Sequence, residues 1–148
     1  MEYLTTHDLV WINSSITGKV NPYNYVTLEA AMAGQYSYGD SHNVPEQAAN
    51  LLDRLLAQAP FSEGNMRTAF IATLSFLNAN GYAIKLDDAD AASVIRQVAH
   101  GRKSARAAIA ELAAPAEQPL ASTVTLRELI SHECNHHKNG LRFLAEND

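Results

Sequence analysis

The sequence predicts an all-α fold, on three observations. Apolar residues recur at helical spacing through most of the chain, and no segment alternates apolar and polar residues long enough to indicate a strand. A length of 148 residues suits one hydrophobic core. A composition with 47% hydrophobic and 18% charged residues is typical of a globular protein. We therefore expect a compact helical bundle.

The first two helices are marked by residues that begin and end helices. Thr5 or Thr6 can cap a first helix, and Gly18 can end it in a left-handed turn. Asn21-Pro22 then interrupts the helical pattern. A short second helix is predicted over residues 27–33.

The middle of the chain predicts two longer helices. One begins at Pro45, a residue suited to the first helical position, and must end before Ala59, because Pro60 disfavours helical backbone at the residue before it. The next runs from Asn65 to Asn80-Gly81 and is apolar over a wide arc, so we expect it at the centre of the fold.

Two further helices complete the predicted domain. Asp87 or Asp88 caps the first, which ends at Gly101, and Ser104 caps the second, which runs through Leu112.

The last part of the chain is predicted to be an extension of this domain. Residues 115–124 are rich in Pro, Ala and small polar residues and indicate a linker. Thr125 and Glu128 form a capping box that opens a last helix, which Asn139-Gly140 should end. We expect a helical domain at 1–114, a linker at 115–124, and a C-terminal helical extension at 125–148 that packs on the core.

Charge and composition exclude several classes of function. A net charge of −5 disfavours a phosphate-coating surface, so no nucleic acid is expected as a partner. No apolar stretch approaches the ~20 residues that span a bilayer, and the first residues lack the pattern of a secretion signal. The single Cys134 cannot form an internal disulfide. These observations favour a cytoplasmic protein with no membrane contact.

The segment before the central helix has features of a phosphate site. A helix that begins just after Gly64 directs its free backbone N–H groups into the preceding loop, where anions bind. Arg67 can make a forked contact with phosphate oxygens, and Glu63 offers an oxygen ligand for magnesium. Phe61 is expected to anchor the loop to the core. An ordinary loop-to-helix junction would also explain this spacing.

Residues 59–67 read Ala-Pro-Phe-Ser-Glu-Gly-Asn-Met-Arg and resemble the signature of the Fic/Doc family, His-x-Phe-x-(Asp or Glu)-Gly-Asn-x-Arg. Every position matches except the first. The flanking segments are similar to the Doc (death-on-curing) toxin branch, and the likeness extends over residues 3–112. The resemblance implies a helical transferase that uses ATP and Mg²⁺ to move a phosphoryl or AMP group onto a hydroxyl of a target protein. A neighbouring antitoxin is a further implied partner.

The resemblance also implies a role for each residue of the motif. Glu63 would hold magnesium, Gly64, Asn65 and the Met66 amide would form the anion cradle, and Arg67 would bind the phosphates. The family His removes the proton from the attacking hydroxyl. Ala59 cannot do this, and a missing general base costs ~10²–10⁴ in rate.

Three explanations of Ala59 are open. The chain is a pseudoenzyme that binds a nucleotide or a protein without chemistry, it carries a substitution that silences a toxic enzyme, or another residue supplies the base. The candidates for that residue are His42 and Asp40 in the loop at 35–43.

Two patterns near the end of the chain have simpler interpretations. His132-Glu133-x-x-His136 matches the letters of a zinc protease, but helix-end charge explains His136, His137 and Lys138 without a metal. Glu146-Asn147 matches part of an inhibitory helix found in some Fic proteins, but Arg142 occupies its Ser position. Here we expect a segment that only covers the core.

Overall fold

The computed structural model describes residues 1–37, 42–118, 124–146 and 148 of the chain. This part is mainly helical, with one short two-stranded sheet, so the all-α prediction is confirmed. The elements, in order, are α1 (Thr6–Thr17), α2 (Tyr25–Met32), a 3₁₀ turn (Ala33–Gln35), α3 (Val44–Gln58), α4 (Asn65–Ala79), β1 (Tyr82–Ile84), α5 (Asp88–Ala99), α6 (Ala105–Leu112), β2 (Ala113–Pro115), α7 (Leu126–His136) and α8 (Lys138–Ala145).

Helix α4 forms the centre of the fold, as its wide apolar arc predicts. Every residue from Thr68 to Leu77 is buried, and Phe70 and Phe76 are among the largest side chains fully removed from solvent. Helices α1, α3 and α7 pack around it. Burial of apolar surface contributes roughly 25 cal/mol per Å², which fixes the position of α4. Its first turn, in contrast, lies at the edge of this core.

Capping side chains begin the helices where the sequence predicts. Thr5, rather than Thr6, caps α1 in a capping box: its Oγ1 accepts from the Asp8 amide at 3.1 Å, while its own amide donates to the Asp8 carboxylate at 2.8 Å. Asp87, rather than Asp88, caps α5. Helix α2 begins two residues earlier than predicted, because the Asn24 side chain accepts from the Thr27 amide and caps it there.

The two strands were not predicted. Tyr82–Ile84 pairs antiparallel with Ala113–Pro115, and Pro115 is the partner of Tyr82. Three residues are too few to show a period of two, which explains why the pattern gave no signal. The first residue of the predicted linker at 115–124 therefore lies in a strand.

The prediction that Asn139-Gly140 ends the last helix is wrong. Helix α7 ends at His136, and α8 runs through Gly140. A Cβ at Gly140 would collide with Asp88 and come within 3.1 Å of the Ala92 side chain on α5, and the Gly140 amide donates to Asp88 Oδ2 at 3.0 Å. Glycine at this position permits close helix packing and does not end a helix.

The prediction that His137 complements an exposed helix end is also wrong. The side chain is buried, with Nδ1 3.0 Å from Asp88 Oδ1 and Nε2 3.1 Å from Glu133 Oε2. Asn78 of α4 donates to the other Glu133 oxygen. We call His137, Asp88 and Glu133 the buried triad. It connects α5 and α7 at the start of α8.

The carboxylates favour the charged form of the buried imidazole. Burial alone would lower the pKa of His137, but the hydrogen bonds and charges of Glu133 and Asp88 outweigh it and raise the pKa above its ordinary value of 6.5.

None of the helices in the described part of the chain combines the length and the apolar character needed to cross a membrane.

The buried triad predicts a large stability difference between two neighbouring histidines. His137→Gln leaves the buried Glu133 and the partly buried Asp88 without a cation, so we expect the free energy of unfolding to fall by about 3 kcal/mol. His136→Gln, at an exposed position, should change it by less than about 0.5 kcal/mol. Urea unfolding at neutral pH measures both values, and equal losses would contradict this description of the triad.

The triad also predicts a pH dependence. Because the folded pKa of His137 is raised, its contribution is complete below the unfolded value of 6.5 and is lost as pH rises through the folded pKa. The difference in unfolding free energy between wild type and His137→Gln should therefore be constant below about pH 6.5 and shrink as the pH rises above it. A difference that grows with pH would contradict the charged imidazole.

Candidate phosphate-binding site

The loop between α3 and α4 begins at Ala59, which has an unusual backbone. With φ 43° and ψ 62°, it is the one non-glycine residue of positive φ among those the structure describes. Pro60 follows, and the side chain at position 59 is exposed. His is one of the residue types enriched in this left-handed region. The backbone is therefore compatible with the His that the family signature has at this position.

Phe61 and Asn65 fix the path of the loop. Phe61 is buried, as expected for an anchor. The Asn65 side chain accepts from the Phe61 amide at 2.9 Å and donates to the Phe61 carbonyl at 2.8 Å. The Asn65 side chain thus closes the loop rather than facing a ligand.

The segment before α2 lies beside this loop. Tyr23 forms an isolated antiparallel bridge with Phe61, and the Ser62 amide donates to the Pro22 carbonyl at 2.9 Å. The extended segment that contains Pro22 and Tyr23 therefore also holds the loop in place.

Asn13 of α1 holds the turn into α4. Its amide nitrogen donates to the Glu63 carbonyl at 2.9 Å and to Thr68 Oγ1 at 3.1 Å. Gly64 has φ 80°, and a Cβ there would lie 2.7 Å from Thr17 Cγ2 and 3.0 Å from Asn13 Nδ2. Only glycine combines this left-handed backbone with such a close approach of α1.

The first turn of α4 binds a carboxylate. Asp148 Oδ1 accepts from the Met66 amide at 2.7 Å, and Oδ2 accepts from the Arg67 amide and from Arg67 Nε, each at 2.9 Å. The Asp148 side chain is 4% exposed and that of Arg67 is 14% exposed. We call the Met66 and Arg67 amides with the Arg67 guanidinium the anion seat. The carboxylate of Asp148 stands in it as a phosphate oxygen pair would.

Met66 contributes to the seat through its backbone only. Its side chain is buried in the core, so the residue type at this position sets packing and not the charge of the seat.

Glu63 lies next to the anion seat and is paired with Lys19. The two side chains are 37% and 62% exposed, so the pair is weak and a cation of higher charge can replace the ammonium. In the described residues no three His, Cys, Asp or Glu side chains are grouped to hold a metal. Magnesium needs only one or two carboxylates when substrate phosphates supply the other oxygens. Glu63 fits that arrangement.

Of the two residues considered as a replacement base, His42 is in the described part of the chain. His42 is exposed and its Nδ1 is 2.9 Å from Ser37 Oγ. Asp40 lies outside the described residues.

The zinc-protease letters do not form a zinc site. His132 and His136 stack on the helix surface with ring centroids 5.6 Å apart, but Glu133 is buried and turns to His137 and Asn78. The residue that would have to activate water is thus occupied in the buried triad.

Cys134 is not a nucleophile at neutral pH. Burial, followed by the charge of Glu133, raises the pKa of its thiol to about 11.

The segment that matches part of the inhibitory helix does not place its glutamate in the anion seat either. Glu146 is 66% exposed and lies 3.7 Å from Arg96, and Asn147 lies outside the described residues. Asp148, two residues further on, is the acid that reaches α4.

Sequence reasoning missed three residues of this site. Asn13 occupies the apolar stripe of α1, a position where a buried amide signals a polar task, so it could have been found. Lys19 follows a helix end and gave no signal. Asp148 gave none either, because 80 residues of chain separate it from the seat.

A sequence model of the Fic/DOC family matches residues 3–77, about half of the chain, and this range includes the loop and the anion seat. Comparisons with curated proteins and with solved structures find no match.

The close approach at Gly64 predicts a steric cost beyond that of its backbone angle. Gly18 has a similar φ of 77° but open space around it, so Gly18→Ala should lower the free energy of unfolding by about 1 kcal/mol. Gly64→Ala should cost about 1–3 kcal/mol more, because its methyl group meets Thr17 and Asn13. Chemical unfolding of the two variants measures the difference. Equal costs would mean that α1 does not press on the loop.

Proposed function

Because this chain belongs to the Fic/DOC family, we propose that it is built to transfer a phosphoryl or AMP group from ATP to a hydroxyl of a target protein. The anion seat carries this proposal. A negatively charged side chain is bound there by two backbone amides and a guanidinium, the donor set that phosphates use at helix N-termini.

Each residue of the loop has a task in this proposal. The amides of Met66 and Arg67 orient one phosphate of ATP, and the Arg67 guanidinium balances its charge. Glu63 would hold Mg²⁺, which neutralises phosphate charge when it is bound. Gly64 permits the turn, and Asn65 keeps the loop closed.

The protein as written lacks the group that removes the hydroxyl proton. A methyl group at position 59 cannot accept a proton, so transfer should be slower by ~10²–10⁴ than with an imidazole there. We therefore propose a nearly inactive member of the family, most similar to the Doc toxins, with an antitoxin as a possible second partner of the fold.

Ala59 itself supports a second function. The seat does not depend on a base, so a chain that has lost the imidazole still binds an anion. In this alternative the protein is a binding module that recognises a nucleotide or a protein and performs no chemistry.

One substitution separates these two functions. We expect Ala59→His to raise transfer of label from ATP to proteins in a lysate by ~10²–10⁴, because it supplies the base on a backbone that accepts His. Label from the γ-phosphate indicates phosphoryl transfer and label from the α-phosphate indicates AMP transfer. Cell growth during expression of each form provides a second measurement.

The matched control is Ala59→Gly. Glycine adopts the left-handed backbone at least as readily as His and adds no imidazole, so this variant should stay inactive. Inertness of Ala59→His together with magnesium-dependent nucleotide binding would favour the binding module. Absence of nucleotide binding in every form would overturn the transferase and the nucleotide-binding module, and would leave only a module that binds a protein.

A further inference from the structure

A cavity of about 810 Å³ lies between the segment that leads into α1 and helix α2. Three tyrosines line it: Tyr3 before α1, Tyr25 at the start of α2, and Tyr36 after the 3₁₀ turn. We call this space the tyrosine cavity. Among the described residues, none of those that form the anion seat lines it, so the two places on the molecule are separate.

Two of the tyrosines form a corner of the tyrosine cavity. The rings of Tyr3 and Tyr36 meet edge to face, with centroids 4.7 Å apart and ring planes at 63°. Tyr36 is 46% exposed and Tyr25 is 56% exposed, so a ligand can reach both rings. The face of an aromatic ring is negatively polarised and attracts a cation placed over it. Three tyrosines around one space therefore favour a positively charged ligand.

Side-chain amides hold the Tyr3 wall in place. The Gln35 side chain accepts from the Leu4 amide and donates to the Leu4 carbonyl, both at 2.8 Å. Asn80 makes the same pair of contacts with the backbone of Glu2, at 2.8 Å and 2.9 Å. Tyr3 lies between these two clamped residues. A wall that is fixed in advance loses little conformational entropy when a ligand binds.

The tyrosine cavity carries one negative charge without an ion pair. Among its described lining residues Glu29 is the one charged side chain, and no salt bridge in the described part of the chain includes it. Glu29 lies one helical turn after Tyr25 on α2. Through a hydrogen bond and through its charge, it raises the pKa of the Tyr25 hydroxyl. The carboxylate therefore lies beside that ring.

This combination of groups restricts the chemistry of a ligand. An anion would meet only negative charge, and a metal ion would find a single carboxylate where it needs several oxygen ligands. A neutral apolar ligand would use the rings and leave Glu29 without a partner. An organic cation, whose charge is surrounded by alkyl groups or spread over a plane, suits the aromatic faces and the carboxylate together.

We propose that the tyrosine cavity binds an organic cation, an alkylammonium or guanidinium group held by three aromatic rings and the Glu29 carboxylate. The group belongs either to a basic side chain of another protein or to a free amine. This site is independent of the proposed function, because it shares no residue with the anion seat.

NMR titration of the whole chain with two pairs of probes tests the proposal. Choline is paired with 3,3-dimethylbutan-1-ol, its uncharged carbon isostere. The acetylated and amidated tripeptide glycyl-arginyl-glycine is paired with its citrulline counterpart, which has the same shape and no charge. We expect a cation to bind about tenfold more tightly than its neutral partner, and to shift the ring signals of Tyr3, Tyr25 and Tyr36.

Matched variants assign the binding to individual groups. Tyr25→Leu removes the ring and should weaken cation binding about threefold, whereas Tyr25→Phe keeps the ring and should bind as wild type does. Glu29→Gln should also weaken cation binding about threefold. Glu117→Gln removes the same charge at an exposed position outside the lining and should change nothing. Tyr25 and Glu29 are both exposed, so these variants should stay folded.

The outcomes decide both the site and the source of its ligand. Equal affinity within both pairs of probes, an absence of binding by both cations, or an unchanged cation affinity in either Tyr25→Leu or Glu29→Gln overturns the proposal. Each of these results leaves the proposed function as it stands. Tighter binding of the arginyl peptide than of choline supports a protein as the source, and equal or tighter binding of choline supports a free amine; both support the cation site.

Discussion

The backbone N–H groups in the first turn of an α-helix have no carbonyl acceptor within the helix. The site of this protein is organised around that constraint. Helix α4 is buried from Thr68 to Leu77, so its free amides are fixed at the edge of the core. They must be satisfied there by something negatively charged or by water. The loop, the closing Asn65, the supporting Asn13 and the carboxylate of Asp148 are all arranged around these few donors.

Local signals in the sequence predicted much of this arrangement. Caps such as Thr5 and Asp87 act within three residues, and the apolar arc of α4 spans four turns, so both are readable without tertiary information. The motif at 59–67 indicated a phosphate site through its resemblance to the Fic/Doc signature, since the spacing alone also fits an ordinary loop-to-helix junction. The family match covers the same residues, while the roles of the individual side chains stay predictions.

What the sequence did not predict depends on partners distant in the chain. His137 appeared to be a surface residue because its neighbours are polar, but it is buried in contact with Glu133 and Asp88, and Asp88 lies 49 positions away. Gly140 appeared to end a helix, but its lack of a side chain allows α8 to pack closely against α5. The short strands fall below the length at which alternation can be recognised. In each case a tertiary contact outweighs a correct local tendency.

The left-handed backbone at Ala59 separates chemistry from architecture. The residue ends α3, its side chain is exposed, and its dihedral angles suit an imidazole as well as a methyl group. Because the side chain is exposed, we expect exchange between the two to leave the core packing and the loop hydrogen bonds unchanged. Folding stability therefore places little constraint on the residue at this position. An evolutionary exchange of side chains here can change the chemistry of the loop without changing the architecture that surrounds it.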